Sequence, residues 1–117
     1  MKVLIVEDHQ ATSDSLARLC SEEFGCEVCQ ATTLMDAATA LAHGPYELII
    51  WDFNFPDGNS LSMIKEARQK FPTAIMIASS NDRQNRPSQV QAGCDLEIGP
   101  FNIDHVVYGE LLKLTKK

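Results

Sequence analysis

Two short apolar runs, each closed by acid, constrain this chain more than any other feature. Val3-Leu4-Ile5-Val6 runs straight into Glu7 and Asp8, and Leu48-Ile49-Ile50-Trp51 runs straight into Asp52. A strand with one wet face alternates apolar and polar residues, because successive side chains point to opposite sides. An unbroken apolar run of this length therefore reads as a strand covered on both faces, and that arrangement belongs to parallel sheets flanked by helices.

The remaining pattern supplies the helices. Leu16, Leu19, Cys20 and Phe24 recur at helical spacing up to a stop at Gly25, and a second strand follows over Cys26 to Ala31. Leu34, Ala37, Ala38, Leu41 and Ala42 form another apolar stripe after Thr33, terminated by Gly44-Pro45. Asn59 or Ser60 caps a helix carrying Leu61, Ile64, Ala67 and Phe71, which Pro72 ends. Ala74 to Ala78 reads as the fourth strand. The polar stretch from Asn81 to Ser88, with Pro87 in it, predicts a fourth helix that starts late and stops at Gly93. Leu96 to Ile98 is a brief fifth strand, and Asn102 caps a last helix that turns Ile103, Val107, Leu111 and Leu114 inward. Alternating strands and helices in this length imply one domain, residues 1–117, with a doubly wound parallel sheet and helices on both faces. In such sheets ligands bind beyond the C-terminal ends of the strands, where the strand order reverses.

With 117 residues and a net charge of −6, the chain is long enough to bury a core and would repel a phosphate backbone, so nucleic acid is not an expected partner. Lys113, Lys116 and Lys117 suit the C-terminal end of a helix dipole. No apolar window approaches a membrane span, and the first run is too short for a secretion signal, so a cytoplasmic chain without a membrane partner is expected. Cys26 and Cys29 form a C-x-x-C, but residues three apart on a strand face opposite ways, which suits neither a disulfide nor a shared metal. With Cys20 and Cys94 they are read as buried thiols.

Glu7, Asp8 and Asp52 all stand where strands end. If the first and third strands are neighbours, three like charges converge, and only raised pKa values or a bound cation offset their repulsion. Oxygen ligands of this kind suit Mg²⁺, which takes one or two carboxylates and keeps several waters. For any single acid, a solvated loop carboxylate is the simpler reading; for three at both strands it is not.

Val6-Glu7-Asp8-His9, Asp52-Phe53-Asn54-Phe55-Pro56-Asp57-Gly58, Gly93-Cys94-Asp95 and Pro100-Phe101 together resemble the response-regulator receiver domains, along the length of the chain. The resemblance implies a flavodoxin-like sheet of order 2-1-3-4-5. It implies that Glu7, Asp8, Asp52 and the backbone carbonyl of Asn54 hold Mg²⁺, and that Asp52 accepts a phosphoryl group. The donor would be a sensor histidine kinase or a histidine phosphotransfer protein, and the signal would pass by contact to a downstream protein or a second copy of the chain. On this reading His9 is not a donor but a solvated side chain. The last helix places Tyr108 and Leu112 off its inward stripe, on the face where receivers meet partners.

The sequence also departs from that family. Gly99 stands where receivers carry a Lys that pairs with the acceptor and the phosphoryl group, a charge-assisted contact worth roughly 1.5–3 kcal/mol. The aromatic residue of the fifth strand is replaced by Leu96 or Glu97. The Ser/Thr at the end of the fourth strand corresponds to Ser79 or Ser80, with Ser79 favoured. The alternative reading is a pseudo-receiver, an interaction module that works without phosphate. An enzyme is not expected: a Mg²⁺-dependent phosphatase using Asp52 would need a second acid, where Asp52-x-Asn54 has an amide.

Overall fold

The computed structural model describes residues 1–80, 82–98 and 102–116. β1 (Lys2–Val6) and β3 (Leu48–Trp51) lie side by side and parallel, with Val3 opposite Leu48 and Val6 opposite Trp51. β2 (Glu27–Ala31) flanks β1, while β6 (Ile75–Ala78) and β7 (Leu96–Glu97) extend the sheet beyond β3. The order is β2-β1-β3-β6-β7, all parallel, which is the expected 2-1-3-4-5 when only main-sheet strands are counted. A two-residue hairpin, β4 (Asn54–Phe55) with β5 (Gly58–Asn59), follows Asp52.

Among the described residues five α-helices cover the two faces: α1 (Gln10–Arg18), α2 (Leu34–Leu41), α3 (Leu61–Lys70), α4 (Arg86–Ala92) and α5 (Ile103–Thr115). Leu4, Val6, Ile49, Trp51 and Met76 pack with Ala37, Leu41, Ile64, Ala67 and Ala92 from α2, α3 and α4. Val3, Ile5, Leu48, Ile50 and Ile77 pack on the other side with Leu16 of α1 and Ile103, Val107 and Leu111 of α5. This is why the runs of β1 and β3 do not alternate: both side-chain directions end in a core. Each such side chain, fully buried, contributes about 1.5–3 kcal/mol.

Several expected boundaries shift. α1 ends at Arg18 and widens into a five-residue π-helical turn, Leu19–Glu23. Gly25 then turns the chain at φ +64°, and the Cys26 N–H donates to Cys20 O, so Cys26 still belongs to the helix end and β2 begins at Glu27. Cys26 and Cys29 do pack on opposite faces of the sheet, Cys29 being only half-buried. Ala38 and Ala42 are exposed, because on α2 it is Ala37 and Leu41, four apart, that share the inward face. Leu114 is half-buried at the end of α5, and the Asn102 side chain makes no cap bond. The short α4 starts with Pro87 in its first turn and stops at Gly93. Gly93 has φ +144°, and a Cβ there would stand 3.0 Å from Arg68 Cβ. No helix among the described residues is long and apolar enough to cross a membrane.

Candidate metal and phosphoacceptor site

The parallel register carries the acids to one place. The Asp52 N–H donates to Val6 O at 2.9 Å, continuing the β1–β3 ladder by one residue, and the Glu7 N–H donates to Ala31 O at 3.0 Å. Glu7, Asp8 and Asp52 therefore leave the same sheet edge, and each offers a carboxylate oxygen within 4.8 Å of the others. Glu7 is only 7% exposed, Asp52 half-buried and Asp8 exposed. The three line a cavity of about 400 Å³ with His9, Thr12, Leu16, Ser79 and Ile103.

The electrostatics follow from that crowding. Burial, and then the Asp52 charge, push Glu7 from 4.5 up to about 8. Burial also lifts Asp52 from 3.8 to about 6, although the Phe53 N–H, 2.8 Å from Oδ1, favours its anion. Ionising both acids in one half-buried pocket is unfavourable, and a dication is the simplest group to relieve it. The donor set is all hard oxygen, which fits Mg²⁺.

The Asp52 peptide is gripped from behind. Ser60 Oγ donates to Asp52 O at 2.7 Å, and Gln89 Nε2 donates to Asp52 O at 3.1 Å and to Trp51 O at 3.2 Å. Ser79 settles beside Asp52: its N–H donates to Trp51 O at 2.8 Å and its Oγ to the same oxygen at 3.2 Å. Ser80 is buried away from the cavity lining, its Oγ accepting from the Asp82 N–H. Asn54 starts the hairpin two residues past Asp52 and is exposed. Gly99, Pro100 and Phe101 lie outside the described residues. Leu96 is half-buried and Glu97 exposed on β7. Tyr108 and Leu112 are 43% and 38% exposed, and the Tyr108 ring meets Phe24 edge-on at 5.0 Å.

Four contributors go beyond the sequence reading. His9 is exposed, yet it also caps α1: its Nδ1 accepts from the Thr12 N–H at 3.4 Å and pairs with Thr12 Oγ1 at 2.8 Å. Asp57 caps α2 from a distance, accepting from the Leu34 N–H at 3.0 Å and the Met35 N–H at 3.1 Å. Of the two expected caps of α3, Asn59 accepts from the Leu61 N–H at 3.0 Å, whereas Ser60 spends its hydroxyl on Asp52 O. Gln89 had one visible sign: it is a polar residue three before Ala92 on the inward side of α4.

The response regulator receiver domain family model matches residues 3–98. This chain belongs to that family. Over 103 residues the receiver is 33% identical to the KDP operon transcriptional regulatory protein KdpE of Escherichia coli (strain K12), covering 86% of this chain and 45% of that protein. It thus spans less than half of that relative's length. A CheY-like receiver domain from Methanospirillum hungatei JF-1 superposes with a TM-score of 0.81 at 23% identity, covering 98% of this chain and 96% of that one. The response regulator TrrA of Thermotoga maritima, solved in complex with Mg²⁺-BeF, superposes with a TM-score of 0.77 at 26% identity over 96% of both chains.

Proposed function

We propose that this receiver domain accepts a phosphoryl group on Asp52, using Mg²⁺, and relays the signal by protein–protein contact. The observation that carries the reading is the convergence of Glu7, Asp8 and Asp52 within 4.8 Å at the ends of two central strands. Those carboxylates, with the Asn54 carbonyl, would hold the ion. When bound, Mg²⁺ supplies positive charge that lets an anionic phosphoryl group approach an acidic pocket.

The chain's own groups do the rest. An Asp52 carboxylate oxygen attacks the phosphorus of a phosphohistidine; the P–O bond forms as the P–N bond breaks, and the departing imidazole nitrogen keeps the electron pair and takes a proton from water. Ser60 and Gln89 hold the Asp52 carbonyl, so the carboxylate is aimed before the donor arrives. Ser79 lines the cavity, and its hydroxyl would turn from Trp51 O to donate to a phosphoryl oxygen. A histidine kinase or histidine phosphotransfer protein would be the donor. Tyr108 and Leu112 on α5 would belong to the surface that meets the downstream protein or a second copy.

Intact mass after treatment with Mg²⁺ and acetyl phosphate tests this. One phosphoryl adduct on the wild type, absent from Asp52→Asn, is the expected result. An adduct that persists in Asp52→Asn means a different acceptor, and no adduct in the wild type leaves the phosphate-independent module as the better reading.

A further inference from the structure

Among the described residues, two buried side-chain polar atoms lack a hydrogen-bond partner, Gln89 Oε1 and Arg86 Nε, and both belong to α4. Buried polar atoms are nearly always paired, and an orphan is costly enough to call for an account. Three positions apart, these residues share one face of the helix. One orphan accepts and the other donates.

Gln89 is fully buried, with none of its surface exposed. Its Nε2 donates to Trp51 O at 3.2 Å and to Asp52 O at 3.1 Å, and lies 3.4 Å from Ser60 Oγ. Those carbonyls bracket the peptide that carries Asp52 out of β3. The amide thus spends both donor hydrogens on the acceptor strand and leaves its own acceptor idle. We propose that Gln89 is a positioning residue for Asp52, and that it ties α4 to the state of that carboxylate. The inference rests on Asp52 being the phosphoacceptor.

The physical case is one of alternatives. A doubly charged group on Asp52 pulls on the turn that Gln89 holds, and any shift of the Trp51 and Asp52 carbonyls weakens two bonds to α4 at once. α4 has another bond in reserve, since Gln89 Oε1 can accept from Arg86 Nε–H one turn earlier. Pairing Gln89 Oε1 with Arg86 Nε–H would offset part of what the loosened carbonyl bonds cost, which brings a second packing of α4 within reach, the condition for a switch. Ser60 keeps its own bond to Asp52 O through the exchange, so the acceptor remains anchored to α3.

The test uses ¹H–¹⁵N NMR of the whole chain with Mg²⁺ and beryllofluoride, a phosphoryl mimic, beside intact mass after acetyl phosphate. In the wild type, the Phe53 amide, the Gln89 side-chain amide and the Val90 to Ala92 amides should shift together. Gln89→Met, similar in length but without donors, should keep the Phe53 response and lose most of the α4 response. Its phosphorylated fraction should fall roughly three- to tenfold, the effect of one lost buried hydrogen bond. A purely structural Gln89 would lower the urea midpoint and leave both responses intact, which overturns the proposal. Should Gln89→Met fail to fold, the wild-type Gln89 side-chain signal decides, and a Phe53 shift without a Gln89 shift refutes the coupling. A wild type in which Phe53 ignores beryllofluoride and acetyl phosphate adds no mass overturns the phosphoacceptor reading itself, and the relay with it.

Discussion

Glu7→Gln should stabilise the metal-free protein at neutral and mildly alkaline pH. Glu7 titrates at about 8 in the fold against 4.5 when free. Between those values the unfolded chain has released this proton while the folded one retains it, so stability falls as pH rises. It is fully present below 4.5 and lost once pH passes about 8. Asp52 adds a narrower loss of the same sign between 3.8 and about 6. The two do not add, because the Asp52 charge supplies part of the Glu7 shift. Were both ionised, charges within 4.8 Å would repel by about 3 kcal/mol or more at an effective dielectric of about 20, which is why the fold keeps the Glu7 proton. Water around the half-buried Asp52 trims that, so a Gln, which need not hold a proton that the unfolded chain has released, should gain about 2 kcal/mol near pH 8, or roughly 5–10 °C in Tm for a chain of this size. Gln keeps an oxygen to accept the His9 N–H, now 3.1 Å from Glu7 Oε1, so the local turn survives.

The assay is thermal melting of wild type and Glu7→Gln across pH 4.5 to 8, with and without millimolar Mg²⁺. Without metal, the wild-type Tm should drop across this range while the Glu7→Gln curve stays nearly flat. Mg²⁺ should raise the wild-type Tm most at the alkaline end and move Glu7→Gln much less. A flat wild-type profile, or Glu7→Gln melting below wild type at pH 8, would show that the acids are not in conflict and refute the electrostatic argument.

Gly99→Lys should raise the phosphorylated fraction of Asp52 by roughly one to two powers of ten, the worth of the charge-assisted contact it restores, read by intact mass. Arg68→Ala should cost about 1–3 kcal/mol in urea melts, because its guanidinium holds Gly93 O, Ala74 O and the Asp95 carboxylate together at the ends of α3 and α4. Asp57→Ala should lower stability by uncapping α2 and weaken Mg²⁺ binding, measured by calorimetry, far less than Asp52→Ala does.

What the sequence revealed was what repeats or runs unbroken. β3 matches its apolar run from Leu48 to Trp51, since a doubly covered strand leaves a contiguous signature. Parallel pairing of such strands then brings their terminal acids together, so Glu7, Asp8 and Asp52 were legible before any coordinates. Alanines were not: Ala38 and Ala42 fit a stripe on paper but face solvent, because a methyl group gains little from burial and marks a face poorly. Ser79 and Ser80 could not be separated by counting, whereas the ladder places the Ser79 N–H on Trp51 O. Long-range polar contacts left no trace, as when Asp57 caps a helix 23 residues upstream or Gln89 reaches back 37 residues to Asp52.

Two acids five residues apart show how the fold divides one loop between structure and chemistry. Asp57 points at the N-terminus of α2, where the Leu34 N–H first and then the Met35 N–H hold its carboxyl below the usual range. Its anion is welcome, so it anchors the loop and has little reason to react. Asp52 faces burial and the Asp8 carboxylate, and its carboxyl is held above the usual range. Its anion is therefore poorly stabilised until positive charge arrives, which is what the proposed role of a nucleophile awaiting metal and donor requires. The loop can hold such a group only because the strain is offset next door: the Asp57 cap fixes the hairpin's far end, and Ser60 and Gln89 fix the Asp52 carbonyl. Losing the Asp57 cap should then loosen the hairpin, while losing Gln89 should change how Asp52 is aimed and read.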